Sequence, residues 1–461
     1  MSEHCFSEIN LKTELTENLS TLGYQQMTPV QAQSLPVIIS GKDVIAQAKT
    51  GSGKTVAFAL GLLQNLDVKR FRIQSLVLCP TRELADQVAK EIRKLARAIH
   101  NIKVLTLCGG VPMGPQIGSL EHGAHIIVGT PGRILDHLDK GRINLDELNT
   151  LVLDEADKML EMGFQDAINA IIESAPVQRQ SLLFSATFPD QINWIAGRML
   201  NDPVNIKVED KQDKPLIEQS FYSVSDASEK LDALKLLLLT HEPDSCVVFC
   251  NTKNATLDVT DYLQASGFSV CVLNGDLEQK QRDQTLVRFA NKSVSILVAT
   301  DVAARGLDID KLDAVINYDL AHEPDTHIHR IGRTGRAGEK GLAMNLYSVK
   351  QAHKLVEIED YLNISIEESE LPDESALVKE VYSPNMATLR IDGGKKQKVR
   401  PGDILGALTG KDGISGSEVG KINVFDYCAY VAVNKSSAKD ALHKLEKGKL
   451  KGRKFRVWRV R

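Results

Sequence analysis

The 461-residue chain is too long for a single hydrophobic core, and its length predicts three domains. Hydrophobic residues make up 43% and charged residues 25%, a composition typical of globular proteins that excludes wholesale disorder and fibrous repeats. No window approaches the ~18 uninterrupted apolar residues of a membrane span, and the start of the chain lacks the basic and apolar regions of a leader, so we expect a cytoplasmic protein.

The net charge of −4 conceals an acidic body followed by a basic tail. Residues 377–461 contain 19 basic and 8 acidic side chains, whereas the preceding residues contain 37 basic and 52 acidic ones. This distribution predicts that the tail attracts a polyanion, although a lysine-rich surface exposed only to solvent would have the same composition. The seven cysteines are scattered and form no C-x-x-C pair, so neither a disulfide framework nor a zinc site is expected.

Short apolar runs alternate with helical stretches along the chain, which is typical of a parallel sheet covered by helices. The first set of predicted strands lies at 43–47, 75–79, 126–129, 150–153 and 182–185. A polar linker at 207–215 is followed by a second set at 246–250, 270–273, 294–299 and 314–318. The basic tail has strand-like runs at 387–391, 430–433 and 455–460 and a helical pattern at 436–446. We therefore predict two similar α/β lobes at 1–206 and 216–356 and a small α+β domain at 377–461.

A glycine-rich turn follows the first predicted strand and consists of Gly51, Ser52, Gly53, Lys54 and Thr55. At a turn from strand to helix, backbone N–H groups can approach phosphate oxygens, and the helix N-terminus adds partial positive charge. Lys54 would reach the β- and γ-phosphates of a nucleotide, and the Thr55 hydroxyl would bind Mg²⁺. Ala48 stands where the full phosphate-binding pattern has glycine, so a turn without a ligand is the alternative.

An acidic tetrapeptide ends the fourth predicted strand and contains Asp154, Glu155 and Asp157. Carboxylates at this position project from the carboxyl edge of a parallel sheet. Asp154 could hold magnesium through its water shell, and Glu155 could accept a proton from an attacking water. Such a tetrapeptide alone is more often a solvated surface, but the phosphate-binding turn in the same chain favours a nucleotide site.

Around this tetrapeptide the sequence resembles the DEAD-box RNA helicases, over roughly its first 350 residues. The similar segments occur in the family's order: Phe6 with GYQQMTPVQ, PTREL, GG, TPGR and SAT in the first half, and VFCNT, GDLEQKQR, ATDVAARGLDI and HRIGRTGR in the second. The resemblance implies two tandem RecA-like parallel-sheet lobes and RNA-stimulated ATP hydrolysis that separates RNA duplexes locally. It also implies ATP and Mg²⁺ as cofactors and RNA as the partner.

The resemblance assigns roles to individual residues. It implies catalytic roles for Lys54, Asp154, Glu155, His329, Arg333 and Arg336, with Mg²⁺ held largely through water at Thr55 and Asp154. The implied ATP contacts are Phe6, Gln31, Thr50, Gly51, Ser52, Gly53, Lys54, Thr55 and Asp308. The implied RNA contacts of the two lobes are Pro80, Arg82, Gly110, Thr130, Arg133, Thr252, Gly275, Arg282 and Thr300.

The arginines of HRIGRTGR suit phosphate because the planar guanidinium group makes two parallel hydrogen bonds and stays charged, although a generic basic patch is the alternative. An arginine finger contributes about 10³–10⁵ in rate. If Arg333 and Arg336 of the second lobe act on ATP, neither lobe hydrolyses it efficiently alone, so the lobes must close. ATP and RNA would then each favour the closed state and bind cooperatively.

Two positions depart from the family. Ala321 and His327 stand where the family often has proline and tyrosine, which affects only fine positioning near His329. His327 and His329 are not expected to bind a metal, because no further ligands accompany them.

The basic tail resembles the RNA-recognition-motif (RRM) domain of DbpA-type helicases through TLRIDGGKKQKVRPGDILGAL and YCAYVAV. In that subgroup the domain binds a structured hairpin of large-subunit ribosomal RNA, which implies pre-ribosomal particles as partners. The usual stacking aromatics are replaced by Thr388, Arg390, Ala429 and Val431, and we identify only Tyr427 and Tyr430 as aromatics nearby. The sequence therefore predicts a basic surface that binds RNA by shape and includes Lys395, Lys396, Lys398, Arg400, Lys451 and Arg453.

Three hypotheses follow from these patterns. The first is an enzyme that hydrolyses ATP and separates short RNA duplexes, and the second is an ATP-gated clamp that holds RNA without separating strands. RNA unwinding with ATP turnover distinguishes them. The third and weaker hypothesis is a DNA translocase, which a comparison of ATPase stimulation by RNA and DNA would test, because only RNA offers 2′-hydroxyl contacts. We expect no DNA and no membrane among the partners.

Overall fold

The protein is represented by a computed structural model that describes residues 4–48, 51–188, 190–208, 217–304, 312–335 and 340–460. The described residues form two compact units, one up to residue 208 and the other from residue 217 onward. The predicted linker at 207–215 lies almost entirely outside the described residues. Within the described ranges, no helix is both long and apolar enough to cross a membrane.

The first unit is a parallel sheet covered by helices on both faces. Its strands are β1 (Val44–Gln47), β2 (Ser75–Leu78), β3 (Val104–Leu107), β4 (Ile126–Gly129), β5 (Thr150–Asp154), β6 (Gln180–Ser185) and β7 (Val204–Lys207). Its helices are α1 (Thr13–Thr21), α2 (Pro29–Ile39), α3 (Lys54–Asn65), α4 (Arg82–Leu95), α5 (Met113–Leu120), α6 (Pro131–Asp139), α7 (Ala156–Glu161), α8 (Gln165–Glu173) and α9 (Asp190–Met199).

The strand order of this sheet is β3-β4-β2-β5-β6-β1-β7, and every pairing is parallel. One apolar cluster, which includes Phe58 and Phe184, lies on one face, and a second, which includes Ile134 and Met159, lies on the other. Burial on both faces explains why β2, β4, β5 and β6 are almost continuous apolar runs. Because the strands are parallel, all their carboxyl ends lie along one edge.

The second unit begins with a similar lobe. Its strands are β8 (Ile217–Val224), β9 (Cys246–Phe249), β10 (Val270–Leu273), β11 (Ile296–Ala299), β12 (Ala314–Asn317) and β13 (Gly341–Ser348), in the order β10-β11-β9-β12-β13-β8, all parallel. Its helices are α10 (Ala227–His241), α11 (Lys253–Ala265), α12 (Gln279–Ala290), α13 (Asp301–Ala304), α14 (Pro324–Ile331) and α15 (Ala352–Leu362).

The segment after α15 packs back onto the second lobe. Ser369 donates its backbone N–H to the Phe221 carbonyl, and Lys379 donates to the Leu239 carbonyl. Ala376 is buried in the apolar cluster of the lobe, and Tyr382 packs beside it. Leu377, Val381 and Tyr382, which lie within the predicted C-terminal domain at 377–461, therefore pack against the second lobe.

The C-terminal domain has the element order βαββαβ. It consists of β14 (Met386–Ile391), α16 (Pro401–Thr409), β15 (Val419–Val424), β16 (Ala429–Asn434), α17 (Ala438–Lys447) and β17 (Val457–Arg459). The antiparallel sheet has the order β15-β16-β14-β17, with Arg390 opposite both Tyr430 and Trp458. The two helices cover one face through a core that includes Leu389, Ile404 and Val431. Two parallel-sheet lobes and a small α+β domain confirm the predicted fold class.

The uncovered face of the C-terminal sheet packs partly against the second lobe. Thr388 at the centre of the sheet is completely buried, and its hydroxyl lies 3.1 Å from Asn291 Nδ2 and 2.7 Å from Ser293 Oγ. Tyr430 and Val460 join Val287 of α12 in one apolar cluster. The second lobe therefore covers the middle of this sheet face.

Candidate nucleotide and RNA sites

The phosphate-binding turn connects β1 to α3, as the sequence predicts. Gly51 and Gly53 have φ angles of +82° and +95°, which glycine adopts without a steric penalty. The Lys54 side chain is 5% exposed, and its ammonium group donates to the Ala48 carbonyl at 2.8 Å across the turn. A lysine held in this way lies at the N-terminus of α3, where the helix attracts anions. Thr55 follows it in the first turn of the helix.

Gln31 fixes the turn from the side. Its amide donates to the Gly53 carbonyl at 3.1 Å, and its side-chain oxygen accepts from the Thr28 backbone N–H at 2.9 Å. A Cβ atom at position 53 would overlap Gln31, so the close approach requires glycine. Phe6 is buried and packs edge-on against Tyr24, with 6.2 Å between the ring centroids. Gln31 thus borders the glycine-rich turn, and Phe6 belongs to the core of the first lobe. Contact of either residue with a nucleotide stays a prediction.

The acidic tetrapeptide lies two strands away from the turn in the same sheet. Asp154 ends β5, which pairs with β6, and β6 pairs with β1. Glu155 has φ +54° and ψ +53°, a left-handed conformation that is uncommon outside glycine and is concentrated at functional sites. The parallel register therefore brings the tetrapeptide and the glycine-rich turn to one edge of the sheet.

SAT at the end of β6 is hydrogen-bonded to the tetrapeptide. Thr187 donates both its backbone N–H and its hydroxyl to Asp157 Oδ2, at 3.1 and 2.9 Å. The Asp157 backbone N–H donates to Ser185 Oγ at 3.3 Å. Movement of either loop would break these bonds, so the two segments form one structural unit.

Asp154 lies in an electrostatic environment that disfavours its charge. The carboxyl is 2% exposed, and burial raises its pKa to about 7, against the opposing effect of Lys54 and with a further increase from Glu155. Its Oδ1 atom finds no hydrogen-bond partner within the described part of the chain. A buried carboxylate oxygen without a partner is a suitable ligand for a hard cation, directly or through water.

The predicted RNA residues of the first lobe lie at the other half of the same edge. Pro80 and Arg82 follow β2, Gly110 follows β3, and Thr130 and Arg133 follow β4, the three strands β3-β4-β2 being neighbours. The Thr130 hydroxyl accepts from the Gly109 backbone N–H at 3.3 Å, and the Arg133 guanidinium donates to the Val111 carbonyl. The sheet order therefore separates predicted RNA loops on one side from predicted ATP loops on the other.

The second lobe repeats this separation. Thr252 follows β9, Gly275 follows β10, and Thr300 follows β11, again three neighbouring strands. The Arg282 side chain of α12 donates to the Ala303 carbonyl at 2.5 Å. His329 lies in α14, beyond β12, and Arg333 follows that helix. Thr50, Asp308 and Arg336 lie outside the described residues.

Arg330 is a structural centre of the second lobe that the sequence did not identify as a site residue. It is 1% exposed, and its guanidinium donates to both Asp301 oxygens at 2.6 and 2.7 Å, to Asn317 Oδ1, to the Asp319 carbonyl and to Asn251 Oδ1. These partners lie at the ends of three neighbouring strands. Its guanidinium group thus joins the loops after β9, β11 and β12 to the helix that precedes Arg333.

His327 is an internal residue of this lobe. It is completely buried, stacks on Phe221, and has its Nε2 atom 3.0 Å from Gln219 Oε1. Burial lowers its pKa to about 4, with a smaller contribution from the nearby Arg330, so the ring is uncharged at neutral pH. Among the described residues no group of three or more histidine, cysteine, aspartate or glutamate side chains could hold a metal ion.

The predicted basic residues of the C-terminal domain converge on one concave site of about 490 Å³. Its lining residues are Lys395, Gln397, Lys398, Val399, Arg400, Lys451 and Arg453, so five of the seven are basic and none is acidic. Backbone N–H groups of Lys395 and Lys396 donate to the carbonyls of Phe425 and Asp426, which fixes one wall. Lys451 pairs with Asp403 at 3.1 Å on the other side. Lys396 lies beside the site and does not line it.

The sequence analysis did not identify Trp458 as an aromatic residue of this sheet face. Trp458 of β17 lies directly opposite Arg390 of β14, although 68 positions separate them in the chain. Tyr430, one of the two aromatics considered, is 2% exposed and packs toward the second lobe, while Tyr427 is 67% exposed. Only the cross-strand register, which local sequence does not give, brings Trp458 to the sheet face.

Comparison with known proteins agrees with this architecture. Residues 28–195 match the DEAD/DEAH box helicase family, residues 229–338 match the helicase conserved C-terminal domain, and residues 388–459 match the DbpA RNA binding domain. The chain is 55% identical over 454 residues to the ATP-dependent RNA helicase DbpA of Escherichia coli (strain K12), and the match covers 98% of each chain. The chain belongs to the DbpA-type DEAD-box RNA helicases.

More distant relatives of this DEAD-box helicase share its two lobes. The DEAD-box ATP-dependent RNA helicase CshA of Geobacillus kaustophilus is 42% identical over 77% of this chain and 76% of its own. The structure of S. cerevisiae Dbp5 bound to RNA and ADP BeF3 is 30% identical, covers 81% of this chain and 97% of its own, and has a TM-score of 0.73. The DbpA-type helicase is therefore an ATP-dependent RNA helicase with two RecA-like lobes and an additional RNA-binding domain.

Proposed function

We propose that this helicase acts in the cytoplasm on structured large-subunit ribosomal RNA in pre-ribosomal particles, to which its C-terminal domain directs it. The concave basic site is the observation that supports the proposal. Five cationic side chains around one depression match the phosphates of a folded RNA, and all five are exposed. The similarity to DbpA along the whole chain favours the same class of target.

We assign the chemistry to the first lobe's sheet edge. Lys54 binds the β- and γ-phosphates of ATP, and Glu155 accepts the proton of the attacking water. Asp154 and Thr55 fit a Mg²⁺ ion, because Asp154 presents a buried oxygen without a hydrogen-bond partner in the described residues. When bound, Mg²⁺ neutralises charge that develops on the phosphates.

The second lobe supplies the remaining side chains of the proposed ATP site. We propose that His329, Arg333 and Arg336 act on the same ATP, so that hydrolysis requires both lobes to close around it. The RNA loops are distributed over both lobes in the same way. ATP and RNA then favour one closed state, and each raises the affinity for the other by the same factor.

A matched pair of triple variants tests the targeting proposal. Lys398→Gln, Lys451→Gln and Arg453→Gln remove three charges from the basic site, whereas Lys411→Gln, Lys421→Gln and Lys439→Gln remove three exposed charges elsewhere in the same domain. The measurement is the RNA concentration that half-activates ATP hydrolysis, with a large-subunit ribosomal RNA fragment and with an unstructured RNA of equal length.

The first variant should need about ten times more ribosomal RNA fragment, with little change on the unstructured RNA, because each lost phosphate contact weakens binding. The control variant should resemble the original protein. Equal activation constants for the two variants on the ribosomal fragment would exclude the basic site as the targeting surface.

A further inference from the structure

The middle of the C-terminal sheet face is unavailable to RNA. In RNA-recognition motifs, bases stack on aromatic residues of the central strands. Here Thr388 and Tyr430 of those strands are 0% and 2% exposed, because residues of the second lobe, including Asn291 and Val287, pack on them. An unpaired base cannot reach these positions while the contact lasts.

A different cluster lies at one edge of the same face, around Trp458 of the edge strand β17. The guanidinium carbons of Arg390 and Arg456 lie 5.0 and 5.3 Å from the Trp458 ring centroid. Arg390 also lies 5.7 Å from the ring centroid of Tyr430, and its Nε atom is buried without a hydrogen-bond partner among the described residues. Arg456 is exposed and Trp458 half-buried. The cluster therefore presents an indole ring and guanidinium hydrogen-bond donors at the border of the sheet area that the second lobe covers.

The charge of the cluster favours an anionic ligand. The cluster contains two guanidinium groups, those of Arg390 and Arg456, and Asp392 lies 3.5 Å from Arg390. Indole and guanidinium planes stack on nucleobases of any sequence, while guanidinium N–H groups bind phosphate.

The cluster is continuous with the basic site. β14, which carries Arg390, runs directly into residues 395–400 of that site, and the segment 451–453 of its other wall leads into β17, which carries Trp458. The Asp392 backbone N–H donates to the Arg456 carbonyl at 3.0 Å and joins the two segments. Both walls of the basic site are therefore connected by a few residues to the strands that carry Arg390 and Trp458.

We propose that Arg390, Trp458 and Arg456 bind an unpaired nucleotide that flanks the structured RNA: its base stacks on the Trp458–Arg456 pair, and its phosphate pairs with a guanidinium group. This inference rests on the proposal that the C-terminal domain binds RNA. It adds a site for single-stranded RNA outside the basic site, at the edge of the sheet face that the second lobe leaves uncovered.

The two tryptophans of the chain make a direct test possible. Trp194→Phe leaves Trp458 as the sole tryptophan in the full-length protein, and Trp458→Phe leaves Trp194, which is 45% exposed and lies 4.9 Å from Arg198 in the first lobe. Each variant is titrated with a stem–loop RNA that carries a single-stranded extension and with the same stem–loop without it. Fluorescence anisotropy of labelled RNA measures binding independently.

We expect the RNA with the extension to quench the fluorescence of Trp458 at saturation. The stem–loop without the extension should not quench Trp458, and neither RNA should quench Trp194. Binding by anisotropy with unchanged Trp458 fluorescence would overturn the inference and leave the targeting proposal intact. If neither RNA binds the full-length protein, both proposals fail.

A substitution at the exposed arginine tests the site without risk to the fold. Arg456→Gln should weaken binding of the extended RNA at least about fivefold and leave the blunt stem–loop unaffected, since base stacking contributes about 1–3 kcal/mol. Arg459→Gln is the control, because Arg459 is a nearby exposed residue with the same charge, at the end of β17. Equal weakening by both substitutions, or on both RNAs, would show a general effect of charge and overturn the stacking site.

Discussion

In the first lobe, Lys54 and Asp154 are 5% and 2% exposed, whereas Lys398, Lys451 and Arg453 of the C-terminal domain lie at an open surface. Asp154 ends β5 and Lys54 begins α3 just after β1, so the parallel register fixes the position of both, and burial is the largest cause of the raised pKa of Asp154. The open charges act together through the field that they produce around a polyanion. We therefore expect that replacing a single atom changes activity at the first lobe's sheet edge. At the basic site of the C-terminal domain, only the removal of several charges together should change RNA binding.

The largest effect is expected at the first lobe's sheet edge. Glu155→Gln preserves the shape of the side chain but removes the proton acceptor, so ATP turnover should fall about 10²–10⁴-fold while ATP binding is retained. Steady-state hydrolysis and nucleotide affinity measure this. Glu173→Gln, at an exposed glutamate of α8, is the control. Normal turnover in the first variant would remove Glu155 from the role of base.

Arg330 extends the comparison to stability. Arg330→Gln leaves Asp301 without its bidentate partner in a buried network, and such losses cost about 3–5 kcal/mol. Hydrogen exchange of the β9 and β12 amides reports the stability of this lobe. Arg198→Gln breaks the exposed Arg198–Glu173 ion pair and should cost less than about 1 kcal/mol. Equal protection in the two variants would contradict the central role of Arg330.

Asp154 predicts a pH dependence of opposite sign to that of an ion-paired carboxylate. Its pKa is about 7 in the folded chain and about 4 in the unfolded chain, so between these values the unfolded state has lost a proton that the folded state retains. Stability of the ligand-free first lobe should therefore decrease by about 1.4 kcal/mol per pH unit from pH 4 to 7.

Asp154→Asn should remove this slope, because the amide does not titrate. The measurement is the free energy of unfolding of the first lobe against pH for both proteins, at low magnesium and without nucleotide. Parallel curves would show that Asp154 titrates normally and that burial does not determine its charge.

The sequence predicted the parts of the molecule whose residues act near one another in the chain. Strands β2, β4 and β5 are buried on both faces, so their apolar runs were visible. The strands β8 and β13 were not predicted: β8 contains the polar run 218–220, and β13 contains Asn345, which is buried and accepts a hydrogen bond from Asn317. The roles of the motif residues that follow the predicted strands were assigned from the resemblance to the family.

Features that depend on distant residues were missed. Arg330 was seen as one of three similar arginines, and only the fold shows that it is buried among the ends of three strands. Residues 377–382 lie in a stretch with a basic composition, but Tyr382 and Val381 pack on the second lobe. Trp458 became a candidate only when the strand register placed it beside Arg390.

The most direct test of the account is a chain that ends at Ser383, after the segment that packs on the second lobe. If the lobes carry the chemistry and the last domain carries target choice, this chain should still hydrolyse ATP with excess unstructured RNA. It should lose the preference for the large-subunit ribosomal RNA fragment, and the slope of log affinity against log salt should flatten by roughly 0.7–0.9 for each lost phosphate contact. The same activation constant and salt slope as the full-length protein on that fragment would contradict the account.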